Sequence, residues 1–246
     1  MRFHKQVVIV LAITLPLSML IVIKGQIQRK TAETVDVNQF PLLDYANRKP
    51  VNPTEEPKRL IKSKKYNNKN SQPIGELSEQ IYVINEWDVG LPALPVSRSA
   101  AVILGKVTHS EAFLSEDLTN IYSEFTIDVD QVIKNDKKAP LKPGDSITTQ
   151  RLGGRVRLFS GKVVVSQVNH QDLPHVGRSY ILFLTHEFPI GGARDEDLFI
   201  LTGYEIRDNQ IIPLDKTVPG HPISTYKDKS KEDFMNDLLS ALAANP

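Results

Sequence analysis

Histidine and carboxylate side chains are the groups of this sequence whose types could perform chemistry. Four histidines fall between residues 100 and 190: His109, His170, His175 and His186. His170 and His175 flank a short segment that contains Asp172. Neutral imidazoles and a carboxylate are suitable zinc ligands, so these residues define a candidate metal site. Their spacing matches no regular zinc motif, and the alternative interpretation is that they are solvated loop residues.

The sequence contains no recognisable catalytic motif. There is no G-x-S-x-G nucleophile elbow, no H-E-x-x-H pair and no phosphate-binding loop. Cysteine is absent, which excludes disulfides, thiolate zinc sites and a cysteine nucleophile. Carboxylate pairs such as Glu116-Asp117 lie in polar segments, whereas general acid catalysis requires a desolvated carboxylate. The sequence therefore predicts no catalytic residue and no cofactor.

A glycine-rich acidic segment between two predicted strands is the best candidate for a contact loop. Loops held by a rigid scaffold often carry binding residues. The predicted contact loop consists of Gly191, Gly192, Arg194, Asp195, Glu196 and Asp197.

The N-terminus predicts an export signal or a membrane anchor. Arg2 and Lys5 form a short basic head, and residues 7–23 carry no charge. As a helix these seventeen residues would reach roughly 25 Å, the short end of a bilayer span. We expect residues 1–24 to be an uncleaved anchor, with residues 7–23 in the lipid bilayer of the cell membrane and the C-terminal domain outside the cytoplasm. The alternatives are a secreted or periplasmic protein after signal cleavage, and a buried helix of a soluble domain.

The remaining chain divides into four parts. Residues 25–75 have sparse apolar residues without a period, which predicts a polar disordered tether. Its basic cluster could attract anionic lipid or a polyanion, or it could be solvated. This cluster comprises Lys58, Arg59, Lys62, Lys64, Lys65 and Lys69. Residues 76–98 predict an extended arm, residues 99–215 a β-domain, and residues 216–246 a tail with a helix at about 231–244.

Short strands separated by turns indicate the fold class of residues 99–215. Phe125, Ile127 and Val129 alternate with polar residues, and the alternation slips at Asp130-Gln131, which predicts a β-bulge. Hairpin turns are predicted at residues 160–162 and 207–210, and residues 180–184 should form the most buried strand. The expected fold is all-β: a small OB-like, closed or partly open β-barrel. An N-terminal transmembrane or signal helix and a short C-terminal helix complete it.

Five segments of the chain resemble a known group of domains. They are residues 101–107, 122–129, 143–147, 153–154 and 176–184. Together they resemble uncharacterised exported bacterial domains of OB-fold-like type, which are distantly similar to the netrin and tissue-inhibitor-of-metalloproteinase module. The inhibitors of that module act through an N-terminal cysteine that chelates the protease metal. Because this chain has no cysteine, the resemblance implies the fold and not that activity.

Three functional hypotheses follow. The first is a non-catalytic module that binds an envelope protein or a glycan near the membrane. The second is a metal-dependent or hydrolytic enzyme with a site built from scattered His, Asp and Glu residues. The third is an OB-type nucleic-acid binder, which the net charge of +1 and the lack of a basic, aromatic strand face make a weaker interpretation. Only Arg151, Arg155 and Arg157 suggest such a face.

Overall fold

The computed structural model describes residues 37–45, 47, 56–74, 81–84, 91–187, 194–215 and 221–245. The strands in these ranges are β1 (Leu42–Asp44), β2 (Ile81–Ile84), β3 (Ala101–Leu114), β4 (Ile121–Lys134), β5 (Ser146–Leu152), β6 (Gly154–Arg157), β7 (Val163–Val168), β8 (Ser179–Glu187), β9 (Arg194–Arg207) and β10 (Gln210–Pro213). The α-helices there are α1 (Glu56–Lys64) and α2 (Lys231–Ala243). The expected all-β class with a short C-terminal helix is therefore confirmed.

Five strands close into a β-barrel, as the sequence predicted. The larger sheet has the order β10-β9-β5-β4-β3-β8, and an additional pairing between β9 and β8 closes the ring. β5 and β9 run parallel, through the pairs Thr149↔Leu198 and Gln150↔Phe199. The other neighbours in the ring are antiparallel. Closure leaves no free edge within the ring.

The longest pairing in the barrel is the β3–β4 ribbon, which runs from Val102↔Lys134 to Leu114↔Ile121. Its apolar residues Phe125, Ile127 and Val129 are buried in the main core, as their alternation predicted. The predicted bulge is confirmed, because the pairing register skips Asp130. A bulge increases strand twist and bending, which helps a sheet to close.

β8 and the predicted hairpins also follow the sequence analysis. Residues 180–184 of β8 are fully buried. β6 and β7 form a hairpin whose turn is closed by the Leu158 amide donating to the Lys162 carbonyl at 2.9 Å. Asp208 and Asn209 adopt positive φ in the turn between β9 and β10, a conformation that these two residue types tolerate well.

A second sheet, with the order β1-β6-β7-β2, packs on the far end of the β3–β4 ribbon. Gly154 allows this close approach. A Cβ atom at Gly154 would lie 2.8 Å from Ser123 Oγ and 2.9 Å from Ile121 Cγ2, and its φ is +146°. Both the distances and the backbone angle therefore require glycine at this position.

The structure differs from the expected tether in residues 37–45 and 56–74. Phe40, Tyr66 and Ile74 are buried, and β1 pairs with β6. We call residues 56–74 the clasp, because they lie across the outside of the barrel. Lys62 Nζ lies 2.8 Å from Glu124 Oε1 on β4, and Lys65 Nζ lies 3.1 Å from Asp197 Oδ2 on β9.

Tyr66 is the centre of the clasp. Its ring stacks on that of Tyr122 with centroids 3.9 Å apart, and its hydroxyl donates to Gln150 Oε1 on β5 at 2.6 Å. The Asn120 side chain donates to the Tyr66 carbonyl at 2.7 Å. The clasp folds because the β3–β4 turn and three barrel strands satisfy its polar groups, while a few widely spaced apolar residues are buried.

The C-terminal helix docks on its own domain. Ser230 caps α2 by accepting a hydrogen bond from the Asp233 amide at 3.1 Å. Phe234 and Leu238 are buried against Ile181 and Tyr204 of the barrel.

The predicted anchor, residues 7–23, lies outside the described residues. Within the described ranges, no helix combines the length and the apolar character needed to cross a bilayer. The arm predicted at residues 76–98 contains β2, which pairs with β7, and Leu91 and Val96, which are buried.

Candidate functional site

A cleft of about 670 Å³ opens at the end of the β3–β4 ribbon where β3 begins. We call it the cationic cleft. It is lined by the segment before β3, the end of β4 with the loop that follows, the end of β8, and the C-terminus of α2. The lining residues are Ser97, Arg98, Ser99, Ala100, Lys134, Asn135, Asp136, Lys137, Lys138, Thr185, His186, Glu187 and Asn245.

Lys134, the last residue of β4, is held in a fixed position in the cleft. Its Nζ donates to the Val96 carbonyl at 2.6 Å and to the Ser99 carbonyl at 2.5 Å. An ammonium has three donor hydrogens, so these bonds leave one for a ligand. Burial lowers the pKa of Lys134 below its usual 10.5, and the charge of Lys137 adds to this effect. A bound anion would offset both causes.

Asp136 and His186 are hydrogen-bonded in the wall of the cleft. His186 Nε2 lies 2.7 Å from Asp136 Oδ2, and His186 Nδ1 lies 3.1 Å from the Asp197 carbonyl oxygen. Burial opposes ionisation of Asp136, but hydrogen bonds from the Lys138 amide, the His186 ring and the Ala139 amide together hold its pKa below the usual 3.8.

Both ring nitrogens of His186 have partners within the fold. Nε2 faces the Asp136 carboxylate and Nδ1 faces the Asp197 carbonyl oxygen. The pair fixes the loop that carries Lys137 and Lys138.

The loop after β4 presents its cations on a rigid backbone. The Asn135 side-chain amide donates to the Leu141 carbonyl at 3.0 Å, and the Leu141 amide donates to Asn135 Oδ1 at 2.8 Å. The Lys138 amide donates to Asp136 Oδ1 at 2.9 Å. Lys137 and Lys138 are themselves exposed. The rim of the cleft is therefore positively charged and preorganised.

Cations exceed carboxylates among the lining residues. Arg98, Lys134, Lys137 and Lys138 face two acidic groups. One of these, Asp136, is hydrogen-bonded to His186 and to the Lys138 amide, and Glu187 Oε2 lies 3.3 Å from Arg98 Nη2. The arrangement is suited to binding an anionic group by charge and hydrogen bonds.

Only part of the predicted contact loop is described. Gly191 and Gly192 lie outside the described residues, while Arg194, Asp195, Glu196 and Asp197 belong to β9. Glu196 is exposed. Asp197 instead joins the clasp to the cleft, because its carboxylate pairs with Lys65 and its carbonyl bonds His186.

The four candidate metal ligands do not form one site. In the part of the chain that the structure describes, no group of three His, Asp or Glu residues could hold a metal ion. His109 lies exposed on β3, and His170 is exposed in a turn with a φ of +61°. The His175 backbone amide donates to the Tyr180 hydroxyl at 3.0 Å. His186 is engaged by Asp136.

The three arginines that suggested a nucleic-acid face bind parts of the chain itself. Arg151 is buried, and its Nη2 donates to both carboxylate oxygens of Asp215 at 2.7 and 2.9 Å, while Thr202 donates to the same carboxylate at 2.7 Å. Arg155 Nε donates to the Phe40 carbonyl, and Arg157 pairs with Asp44. All three therefore stabilise the fold.

Sequence reasoning missed the cationic cleft. Its one local signal is the charged segment at residues 134–138 directly after a strand.

Comparison with models of known protein families, with curated proteins and with solved structures finds no match to this chain.

Proposed function

We propose that this chain is a non-catalytic binding module, anchored in a membrane with its barrel outside the cytoplasm. Its cationic cleft binds a carboxylate group of a glycan or a protein partner. The observation that carries this proposal is the position of Lys134, which two carbonyl groups hold among three further cations. Fixed cations bind an anion at a lower entropic cost than mobile ones.

The barrel topology supports an OB-like fold. The five ring strands, numbered in chain order, are β3 (first), β4 (second), β5 (third), β8 (fourth) and β9 (fifth). Around the ring, neighbouring strands follow the order β3-β4-β5-β9-β8, which is first, second, third, fifth, fourth. The third and fifth strands meet in parallel. OB-type barrels bind oligosaccharides and oligonucleotides on the face of their second and third strands. Here the clasp covers that face at Glu124 and Gln150, which favours the open cleft as the ligand site.

The proposed location rests on the sequence of residues 1–24. Residues 7–23 are uncharged and long enough for a short membrane span, and a basic head precedes them.

The binding proposal is tested with the full-length chain and three probes. Trigalacturonate and triglutamate present carboxylates on a sugar and on a peptide, and neutral galactotriose is the uncharged comparison. We expect calorimetric binding of an acidic probe that weakens at high salt, and none of galactotriose. The double variant Lys137→Gln/Lys138→Gln should bind roughly 2- to 30-fold more weakly, since exposed charge pairs contribute about 0.2–1 kcal/mol each.

Lys106→Gln/Lys142→Gln is the matched control, because both lysines are exposed and neither lines the cleft. It loses the same net charge and should bind as the unmodified chain does. Equal losses in both double variants would show a general charge effect and contradict the cleft. A preference for triglutamate over trigalacturonate would identify the partner as a protein.

A further inference from the structure

Large apolar side chains protrude at the end of the β3–β4 ribbon opposite the cationic cleft. Six large hydrophobic side chains are exposed among the described residues, and four of them belong to this end. We call Leu60, Ile61, Leu118 and Phe159 the apolar rim. Concentrated apolar exposure marks an interaction surface, whereas scattered apolar residues do not.

The members of the apolar rim lie close together. Leu60 of α1 and Leu118 of the β3–β4 turn line one cavity of about 210 Å³, together with Tyr45. The Phe159 ring lies 5.8 Å from the Tyr45 ring, and Ile61 follows Leu60 on the helix. Three separate elements therefore contribute to one surface.

The fold does not require these side chains. Phe159 is 81% exposed in the β6–β7 turn, and Ile61 is 65% exposed. Leu118 has a φ of +60°, a conformation that is uncommon for leucine. Local strain of this kind occurs preferentially at functional sites. A polar residue at Leu118 or Phe159 would serve the turns at least as well, so the apolar side chains indicate binding.

Basic residues accompany the apolar ones. α1 has the sequence EPKRLIKSK, with four basic residues and one acidic residue. Lys62 and Lys64 pair with Glu124 and Glu116, at 2.8 and 3.4 Å. Lys58 is exposed, and the Arg59 guanidinium lies 4.7 Å from the centre of the Phe113 ring. Apolar side chains beside Lys and Arg are typical of helices that lie in the interface of an anionic bilayer.

The connection to the proposed anchor is short. Thirteen residues, 24–36, separate residue 23 from the first described residue. Thirteen residues span at most about 45 Å even when fully extended. In a chain anchored by residues 7–23, a connection of this length gives the domain a high effective concentration at the bilayer, so that weak contacts with lipid are favoured.

We infer that the apolar rim rests on the surface of the anionic phospholipid bilayer in which residues 7–23 insert. This inference depends on the anchor in the proposed function. Leu60, Ile61, Leu118 and Phe159 enter the headgroup region, and the exposed Lys58 of α1 contacts lipid phosphates. The cationic cleft then points away from the membrane.

The absence of cysteine allows a direct test in the full-length chain. Ser160→Cys, beside Phe159, and Lys142→Cys, near the cleft end of the barrel, are each labelled with an environment-sensitive fluorophore. The chain is reconstituted into phosphatidylglycerol–phosphatidylcholine vesicles that contain doxyl-labelled lipid. We expect a blue shift and quenching of the label at position 160, and neither effect at position 142.

Two double variants complete the test. Leu60→Ser/Ile61→Ser should abolish quenching at position 160, while Val176→Ser/Leu239→Ser, which removes two exposed apolar side chains elsewhere, should preserve it. Flotation of the chain with the vesicles reports the anchor separately. A chain that floats with an unquenched label at position 160 overturns the inference alone. A chain that does not float overturns the anchor and this inference together.

Discussion

At the turn end of the β3–β4 ribbon the polar groups are bonded to the clasp, whereas at the other end cations line an open cleft. The Asn68 amide donates to Asp117 Oδ2 at 2.9 Å, and the Asp117 amide donates to Asn67 Oδ1 at 3.1 Å. The Ile74 amide donates to the Leu118 carbonyl at 2.8 Å. The hydrogen bonds at the turn end therefore stabilise the fold, whereas the excess positive charge at the cleft end is available to bind a ligand.

The two ends are also well separated. β3 has fourteen residues, and thirteen steps of about 3.3 Å give a separation of about 43 Å. Substitutions at the turn end should therefore change the free energy of unfolding without changing ligand affinity. Substitutions of the exposed lysines at the cleft end should do the reverse, since sites this far apart are usually energetically independent.

The largest effect is expected for Tyr66→Ala in the clasp. This change removes a fully buried ring stacked on Tyr122 and a hydrogen bond to Gln150. We expect the free energy of unfolding to fall by about 3–5 kcal/mol in urea titrations. Phe159→Ala, at an exposed ring of the same end, should change it by less than about 0.5 kcal/mol. Similar losses in both variants would show that the clasp is not part of the cooperative fold.

A smaller effect is expected for Asp136→Asn at the cleft end. It removes a buried charged partner of His186 and should cost about 1–3 kcal/mol at neutral pH. Because folding lowers the pKa of Asp136, its carboxylate stabilises the fold above the usual 3.8, and this contribution is lost as the pH falls through the lower folded-state value. The stability difference between variant and unmodified chain should therefore shrink below pH 3.8. A difference that grows on acidification would contradict this assignment.

The smallest effect is expected for the ion pair between Lys62 and Glu124. Both side chains are partly exposed, at 27% and 23%, so the pair should contribute about 0.2–1 kcal/mol. A double-mutant cycle with Lys62→Met and Glu124→Gln measures the coupling, which should decline at high salt. Coupling above 2 kcal/mol would mean that electrostatics, and not Tyr66, holds the clasp on the barrel.

The barrel could be predicted from the sequence because the patterns that indicate its strands and turns lie within short, continuous segments of the chain. The alternation of Phe125, Ile127 and Val129, the slip at Asp130 and the cap at Ser230 each report a neighbouring backbone conformation. The closed ring follows from several such strands, although the parallel pairing of β5 with β9 leaves no local signal.

The clasp and the cleft could not be predicted in this way. Tyr66 and Ile74 are buried by partners about 40–85 residues away, so their isolated positions show no period. Lys134 and His186 meet because β4 and β8 both flank β3 in the barrel. A polar segment with few apolar residues has the composition of a disordered tether. Only the structure shows the distant groups that accept and donate its hydrogen bonds.

The buried Arg151–Asp215 pair determines where the chain can be shortened. Asp215 lies two residues beyond β10 and belongs to no strand. A product that ends at Leu214 would retain every described strand, yet its interior guanidinium would have lost its counter-charge, at a cost of roughly 3–5 kcal/mol. A shortened chain that keeps the barrel therefore needs Asp215, which lies past the boundary that strand positions alone would suggest.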